Sequence, residues 1–182
     1  MKLKSLIVFK NIIPLLSVSN GCNENSIVVL HNNLLFSLNC LKYHTNYKYN
    51  LLSCVSGVDF SYPKYRFGVV YELLSLVMNS RIRVKVLVNE ITSIDSTVAI
   101  FRNADWWERE VWDMYGIYFN NHPDLRRILT DYGFEGYPMR KDFPLSGYVE
   151  VRYDQTKRRV VLESIELTQE FRSFTFETPW LT

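Results

Sequence analysis

The densest set of side chains able to do chemistry is Glu108-Arg109-Glu110, followed by Asp113. Two neighbouring carboxylates can share acid–base work, as in glycoside hydrolysis. Residues two apart on a helix point in different directions, however, so Glu108 and Glu110 do not converge on one substrate. Arg109 has Asp105 and Asp113 one turn away on either side. That spacing predicts a charge ladder along one helix face, which suits a structural ion network or an inter-chain salt bridge better than a hydrolase.

The other candidates are thinner. His31, His44 and His122 have no ligand spacing among themselves or with cysteine, and His122-Pro123 reads as a turn. Cys22, Cys40 and Cys54 are odd in number and contain no Cys-x-x-Cys pair. They fit a reducing compartment better than a disulfide framework. An iron–sulfur cluster takes four protein ligands, mostly thiolates, and three dispersed cysteines fall short, so buried, inert thiols are expected. Phosphate-loop, dinucleotide and nucleophile-elbow motifs are all missing from the sequence. Arg126-Arg127 and Arg140-Lys141 are basic pairs that either clamp a neighbour's carboxylates or are simply solvated.

These residues must be held by ordered elements. Residues 26–30 form an apolar run that predicts a strand. Leu34, Leu35, Leu38 and Leu41 recur at helical spacing and predict a helix over 33–44. Residues 51–55 form a second strand-like run, stopped by Ser56-Gly57, and 67–74 form a third. Ile82, Val84, Val86 and Val88 alternate with Arg81, Arg83 and Lys85. That is a strand with one apolar and one cationic face, solvated or binding a partner. Asn79-Ser80 suggest a hairpin before it. Ser93 is placed to cap a helix bearing Ile94, Val98 and Phe101. Asp105 is placed to cap another, with Glu108 completing a capping box and Trp107, Val111, Met114 and Tyr115 facing the core. Gly116 ends that helix.

The reading is an α+β domain over 26–116, with a small, mainly antiparallel sheet and packed helices. A variable segment over 1–25 precedes it. From 117 to 182, glycine and proline punctuate the chain, and short strands are predicted over 149–153 and 159–162. Tyr, Phe and Leu still recur there. An extended segment that cannot bury its aromatics on itself buries them elsewhere, so 117–182 reads as a strap over another protein, with Tyr132, Phe134, Tyr137 and Phe143 against the partner. A loop packed on its own domain is the alternative.

The whole chain agrees with a globular protein lacking a nucleic-acid footprint. Its 182 residues are 47% hydrophobic and 22% charged, so a core is attainable. A net charge of +2 offers no clustered basic face for a duplex. The apolar stretch 6–16 is broken by Lys10, Asn11 and Pro14, too short for a membrane span or a secretory signal. Alanine occurs only at Ala99 and Ala104, whereas Asn, Ile, Leu, Phe and Tyr abound, as in AT-rich organelle coding.

The tract from 106 to 153 resembles the 30 kDa subunit family of respiratory complex I. Glu108-Arg109-Glu110, Asp113-Met114-Tyr115, His122, Arg126, Ile128 and Leu129 carry the resemblance. So do Asp131-Tyr132-Gly133-Phe134-Glu135-Gly136 and residues 140–148, Arg-Lys-Asp-Phe-Pro-Leu-Ser-Gly-Tyr. Gly57-Val58-Asp59 and residues 79–83 add to it. The resemblance implies a subunit of the peripheral, matrix-side arm of the proton-pumping NADH:ubiquinone oxidoreductase at the mitochondrial inner membrane, in the mitochondrially encoded form. It implies no catalytic residue and no cofactor in this chain, with FMN and iron–sulfur clusters in partner subunits. It also implies packing beside the 49 kDa subunit at the quinone-reducing module, with Glu108, Arg109, Glu110, Asp113, His122, Arg126, Arg127, Arg140 and Lys141 as signature or interface residues.

Overall fold

A computed structural model of the chain describes residues 13–20, 25–60, 65–172 and 174. Cys22 and most of the segment 1–25 lie outside them. The chain divides into two compact units, Met1–Phe143 and Pro144–Thr182. The expected boundary after Gly116 therefore lies inside the first unit.

The first unit is built on a five-stranded sheet of order β1-β2-β5-β4-β3. Its strands are β1 (Leu15–Asn20), β2 (Asn25–Val29), β3 (Leu51–Asp59), β4 (Phe67–Ser75) and β5 (Ser80–Val88). β2 runs parallel to β5, while β1–β2, β3–β4 and β4–β5 are antiparallel. Strand β1 falls in the stretch for which the sequence offered no element. The apolar alternation of β5 is realised residue by residue: Ile82, Val84, Val86 and Val88 are buried. Their cross-strand neighbours Val69, Tyr71 and Leu73 are buried with them.

Helix α1 (Leu34–Tyr43) buries Leu34, Leu38 and Leu41 in the same core. Helix α2 (Ala104–Tyr115) adds Ala104, Val111 and Tyr115. Full burial of a large aliphatic side chain is worth roughly 1.5–3 kcal/mol, so the shared core holds both helices on one face of the sheet.

Several local expectations are corrected. Ser56-Gly57 does not stop β3, which continues to Asp59. Gly57 is where the ring of Tyr115 crosses the strand: a Cβ there would meet the ring at 2.5 Å. The helix expected after Ser93 is absent. In its place a two-residue strand β6 (Ile94–Asp95) pairs with β7 (Phe119–Asn120), and a turn at Thr97 accepts from the amides of Ile100 and Phe101. The Ser93 hydroxyl serves Asn120 Nδ2 at 2.8 Å rather than a helix start. Asp105 is not the cap of α2. Asn103 holds that position without a side-chain capping bond, its side-chain amide donating to Leu52 O at 2.6 Å instead, and Asp105 lies in the first turn. Trp107 is exposed rather than in the core, whereas Met114, half-buried, packs against the core as expected. Gly116 closes α2 in the left-handed region, at φ 73°.

In the second unit, β8 (Val149–Asp154) and β9 (Arg159–Ser164) form an antiparallel hairpin. Residues opposite one another share a face. Val151 with Leu162 and Tyr153 with Val160, flanked by Val149, therefore make one apolar face, and all five are exposed. The other face carries the Arg152–Glu163 pair, Nη2 to Oε1 at 2.5 Å.

Candidate functional site

The signature residues gather around α2 and the loop over 117–143. The expected ladder does not form: among the described residues Arg109 makes no ion pair with Asp105 or Asp113. The three side chains are drawn apart by other partners. Arg109 is nearly buried and donates from Nε to the carbonyl of Arg126 at 3.3 Å.

Asp113 is fully buried and acts as an anchor for the loop. Its Oδ2 accepts three successive amides, from Ile128 (3.2 Å), Leu129 (2.7 Å) and Thr130 (3.0 Å). Its Oδ1 accepts the Thr130 hydroxyl at 2.7 Å and faces Arg127 Nη1 at 3.4 Å. Consecutive backbone N–H groups of this kind form an anion-binding nest. Burial pushes the Asp113 carboxyl up, but the bonds from Thr130, Leu129 and Ile128 outweigh it and hold the group below its ordinary range.

Glu108 is the second anchor, also fully buried. It accepts the Ser96 hydroxyl (2.6 Å), the Thr97 amide (2.7 Å) and the Thr97 hydroxyl (2.6 Å). This contact, not a capping box, is what turns the chain at 96–97. Burial raises the Glu108 carboxyl, and the hydroxyl and amide bonds only partly offset it. His122, with a buried side chain, places Nε2 3.8 Å from Glu108 Oε2 and 3.2 Å from Asp105 Oδ1. Its Nδ1 accepts the Asp124 amide at 3.1 Å.

The end of α2 is closed by the same loop. The last carbonyls of a helix have no partner within it. Here Trp112 O accepts Gly116 N, Met114 O accepts Met139 N at 3.1 Å, and Tyr115 O accepts Arg140 Nε at 2.7 Å. A cation suits this negative helix end. The Arg140 guanidinium also lies 4.5 Å from the Tyr137 ring centroid and 5.0 Å from that of Phe67, and Arg127 lies 5.0 Å from Tyr137. Tyr137, expected against a partner, is thus held within the unit, edge-on to Trp112. Phe134 and Phe143 contact each other, while Tyr132 is fully exposed.

Asp59, at the end of β3, is a third anchor that sequence reasoning missed. It pairs with Arg66 Nε at 3.1 Å and accepts the Lys141 amide at 2.8 Å. Burial raises Asp59, but the Arg66 and Lys141 contacts prevail and lower it. The backbone amide of Lys141 makes this contact, and the Lys141 charge adds to it. Arg126 is exposed and pairs with Asp124 at 2.9 Å. Glu110 is half-buried and is one of the charges that push the Tyr115 hydroxyl up, after burial itself.

Both oxygens of Glu108 and both of Asp113 are thus occupied by the chain's own donors, whereas Asp105 Oδ1 is buried without a hydrogen bond. Among the described residues no group of three or more His, Cys, Asp or Glu could hold a metal ion.

The family model for the respiratory-chain NADH dehydrogenase 30 kDa subunit matches residues 27–149, which run from within β2 through the loop just described. The chain belongs to this family. Subunit 9 of the NADH-ubiquinone oxidoreductase of Reclinomonas americana is 59% identical over 157 residues, covering 86% of this chain and 77% of that protein. NADH dehydrogenase [ubiquinone] iron-sulfur protein 3 of Arabidopsis thaliana is 63% identical over 147 residues, covering 80% and 77%. A chain in the structure of an archaeal respiratory membrane complex, the membrane-bound sulfane sulfur reductase, has the same fold. Its TM-score is 0.64 at 21% identity, over 78% of this chain and 86% of that one. Among the described residues no helix is long and apolar enough to cross a membrane.

Proposed function

We propose that this chain is a non-catalytic structural subunit of the peripheral, matrix-side arm of the proton-pumping NADH:ubiquinone oxidoreductase at the mitochondrial inner membrane, encoded in the mitochondrial genome. In this reading it is an α+β domain with a C-terminal strap, and it supports the quinone-reducing module beside the 49 kDa subunit. Family membership supports the complex. The observation that carries the mechanical role is the clasp around α2: Glu108 and Asp113 are sealed and saturated, so the signature residues shape a surface instead of reacting at one. That surface presents Trp106, Leu129 and Tyr132 to solvent. Of these, the aromatic Trp106 and Tyr132 are of the kind that anchors protein interfaces.

The exposed apolar face of the β8–β9 hairpin fits the strap. A two-stranded hairpin is marginal alone, and Val151, Tyr153, Val160 and Leu162 gain by cover from another subunit. We also propose that the chain holds no cluster of its own, with FMN and iron–sulfur clusters in partner subunits, although relatives carry iron-sulfur in their names. Burial first, then the Glu72 charge, raises the Cys54 thiol, which disfavours the thiolate a cluster needs. Native gel electrophoresis of mildly solubilised mitochondrial membranes tests the assignment. Co-migration with NADH dehydrogenase activity in a very large complex is expected; a small free species without that activity would refute it.

A further inference from the structure

The turn joining β4 to β5 has an unusual composition. Turns favour Gly, Pro, Asn, Asp and Ser, but this one reads Leu76-Val77-Met78-Asn79. Asn79 supplies the left-handed residue, at φ 45°. The three apolar residues before it stand in solvent, 71%, 65% and 45% exposed. Scattered exposed apolar residues need no explanation, but a contiguous patch at a turn does. The patch extends onto the sheet: Leu51 pairs with Leu74, and Leu74 with Arg81, so Leu51 and Arg81 flank Leu74 in one row across three strands. Leu51 is 42% exposed. The turn is held in place, with the Met78 amide donating to Ser75 Oγ at 3.3 Å and the Ser80 hydroxyl to Tyr49 OH at 3.3 Å.

The charge in the strands around this end is mostly of one sign. From 25 to 58 the chain has no acidic residue, and from 67 to 89 it has only Glu72, which is paired with Arg83. Lys48, Arg81 and Lys85 form no ion pair among the described residues. Lys48 lies three residues before Leu51. Lys85 lies four residues along β5 from Arg81, on the sheet face away from the core.

We propose that this end of the sheet is a docking knob for another subunit of the complex. Leu76, Val77, Met78 and Leu51 enter an apolar hollow whose rim carries Asp or Glu side chains facing Lys48, Arg81 and Lys85. The proposal rests on the subunit reading above. A protein hollow fits better than an anionic bilayer. Strand rise places Lys85 roughly 13 Å beyond Arg81, down the sheet and away from the tip. A concave acidic surface reaches along that face, whereas a flat lipid surface meets only the cations beside the tip.

The test uses the native complex purified in detergent. A zero-length carbodiimide joins amines to carboxylates in contact, and mass spectrometry maps the joined peptides. Oxidative footprinting then compares Met78 in the complex with Met78 in the folded chain released from the complex without denaturation. The expected result is Lys48 or Lys85 joined to Asp or Glu of one other subunit, beside an apolar stretch of that subunit, with Met78 oxidised several-fold more slowly in the complex. Links confined to this chain, with Met78 oxidised as fast as in the released chain, would overturn the knob while leaving membership intact. Protection of Met78 in native membranes that vanishes in detergent would overturn it in favour of a lipid surface. Absence of the chain from the complex would overturn membership and the knob together.

Discussion

Replacing Asp113 by alanine should loosen the loop over 117–143 from α2. The side chain is fully buried and accepts three backbone amides and one hydroxyl, with Arg127 alongside. Leaving a buried donor without an acceptor costs about 1–3 kcal/mol. The donors lie on a surface loop, so water would reach some of them once the carboxylate is gone. A loss of about 3–4 kcal/mol is therefore expected instead of the full sum for every donor. For a chain of this size each kcal/mol moves the melting temperature by about 2–4 °C. Asp113→Ala should then melt about 6–16 °C below the parent chain. Asp113→Asn keeps one acceptor oxygen and should fall between them. The assay is thermal unfolding of the purified chain by circular dichroism at neutral pH, with limited proteolysis over 117–143 as the local readout. An Asp113→Ala protein that melts with the parent and is cleaved no faster would refute the view that this carboxylate holds the loop.

Acid should act through the same group. Asp113 and Asp59 lie below their ordinary value of 3.8 in the folded chain. Their contribution is therefore present above that value and is lost as pH falls through the folded values. The parent should lose stability on acidification below about pH 5, and Asp113→Asn should lose less, as read from melting temperature against pH. Glu108 is shifted the other way, so its ionisation weakens the fold as pH rises through its raised value. Glu108→Gln, which keeps an acceptor for Thr97, should be much milder than Glu108→Ala at pH 8 by denaturant titration. At Gly116 a Cβ would meet Tyr137 at 2.6 Å and Arg140 Nη2 at 2.7 Å, in a left-handed backbone. Gly116→Ala should cost about 1 kcal/mol in backbone conformation alone and more through the displaced Tyr137, measurable as a shifted chemical-denaturation midpoint.

Elements governed by short-range pattern were legible in the sequence. The alternation over 81–88 and the leucine spacing over 34–41 correspond to β5 and α1 because burial on one face dictates both periods. Gly116 marked the end of α2 because few other residues adopt its backbone. Where a distant partner decides, the local signal misleads. Ser93-Ile94 looks like a helix start, but Glu108 takes the Ser96 and Thr97 groups a helix would use, and Phe119 pairs with Ile94. Asp105, Arg109 and Asp113 have ladder spacing, yet Asp113 turns to three amides about fifteen residues further on. No spacing rule announces a backbone nest. Asp59 and Lys141 meet across 82 residues of sequence and left no local trace. The signature residues lie around α2 and the loop that follows it, and the pairings among them depend on tertiary contacts.

In the proposed reading the polar cluster around α2 holds structure and takes no part in catalysis. Arg109→Ala tests it most directly, because Arg109 is nearly buried and bridges α2 to the Arg126 carbonyl. The measurement is the amount of assembled complex on native gels together with NADH:quinone turnover per assembled complex. Less assembled complex is expected, with unchanged turnover in what assembles. Normal assembly with reduced turnover would contradict it and place Arg109 in the quinone chemistry.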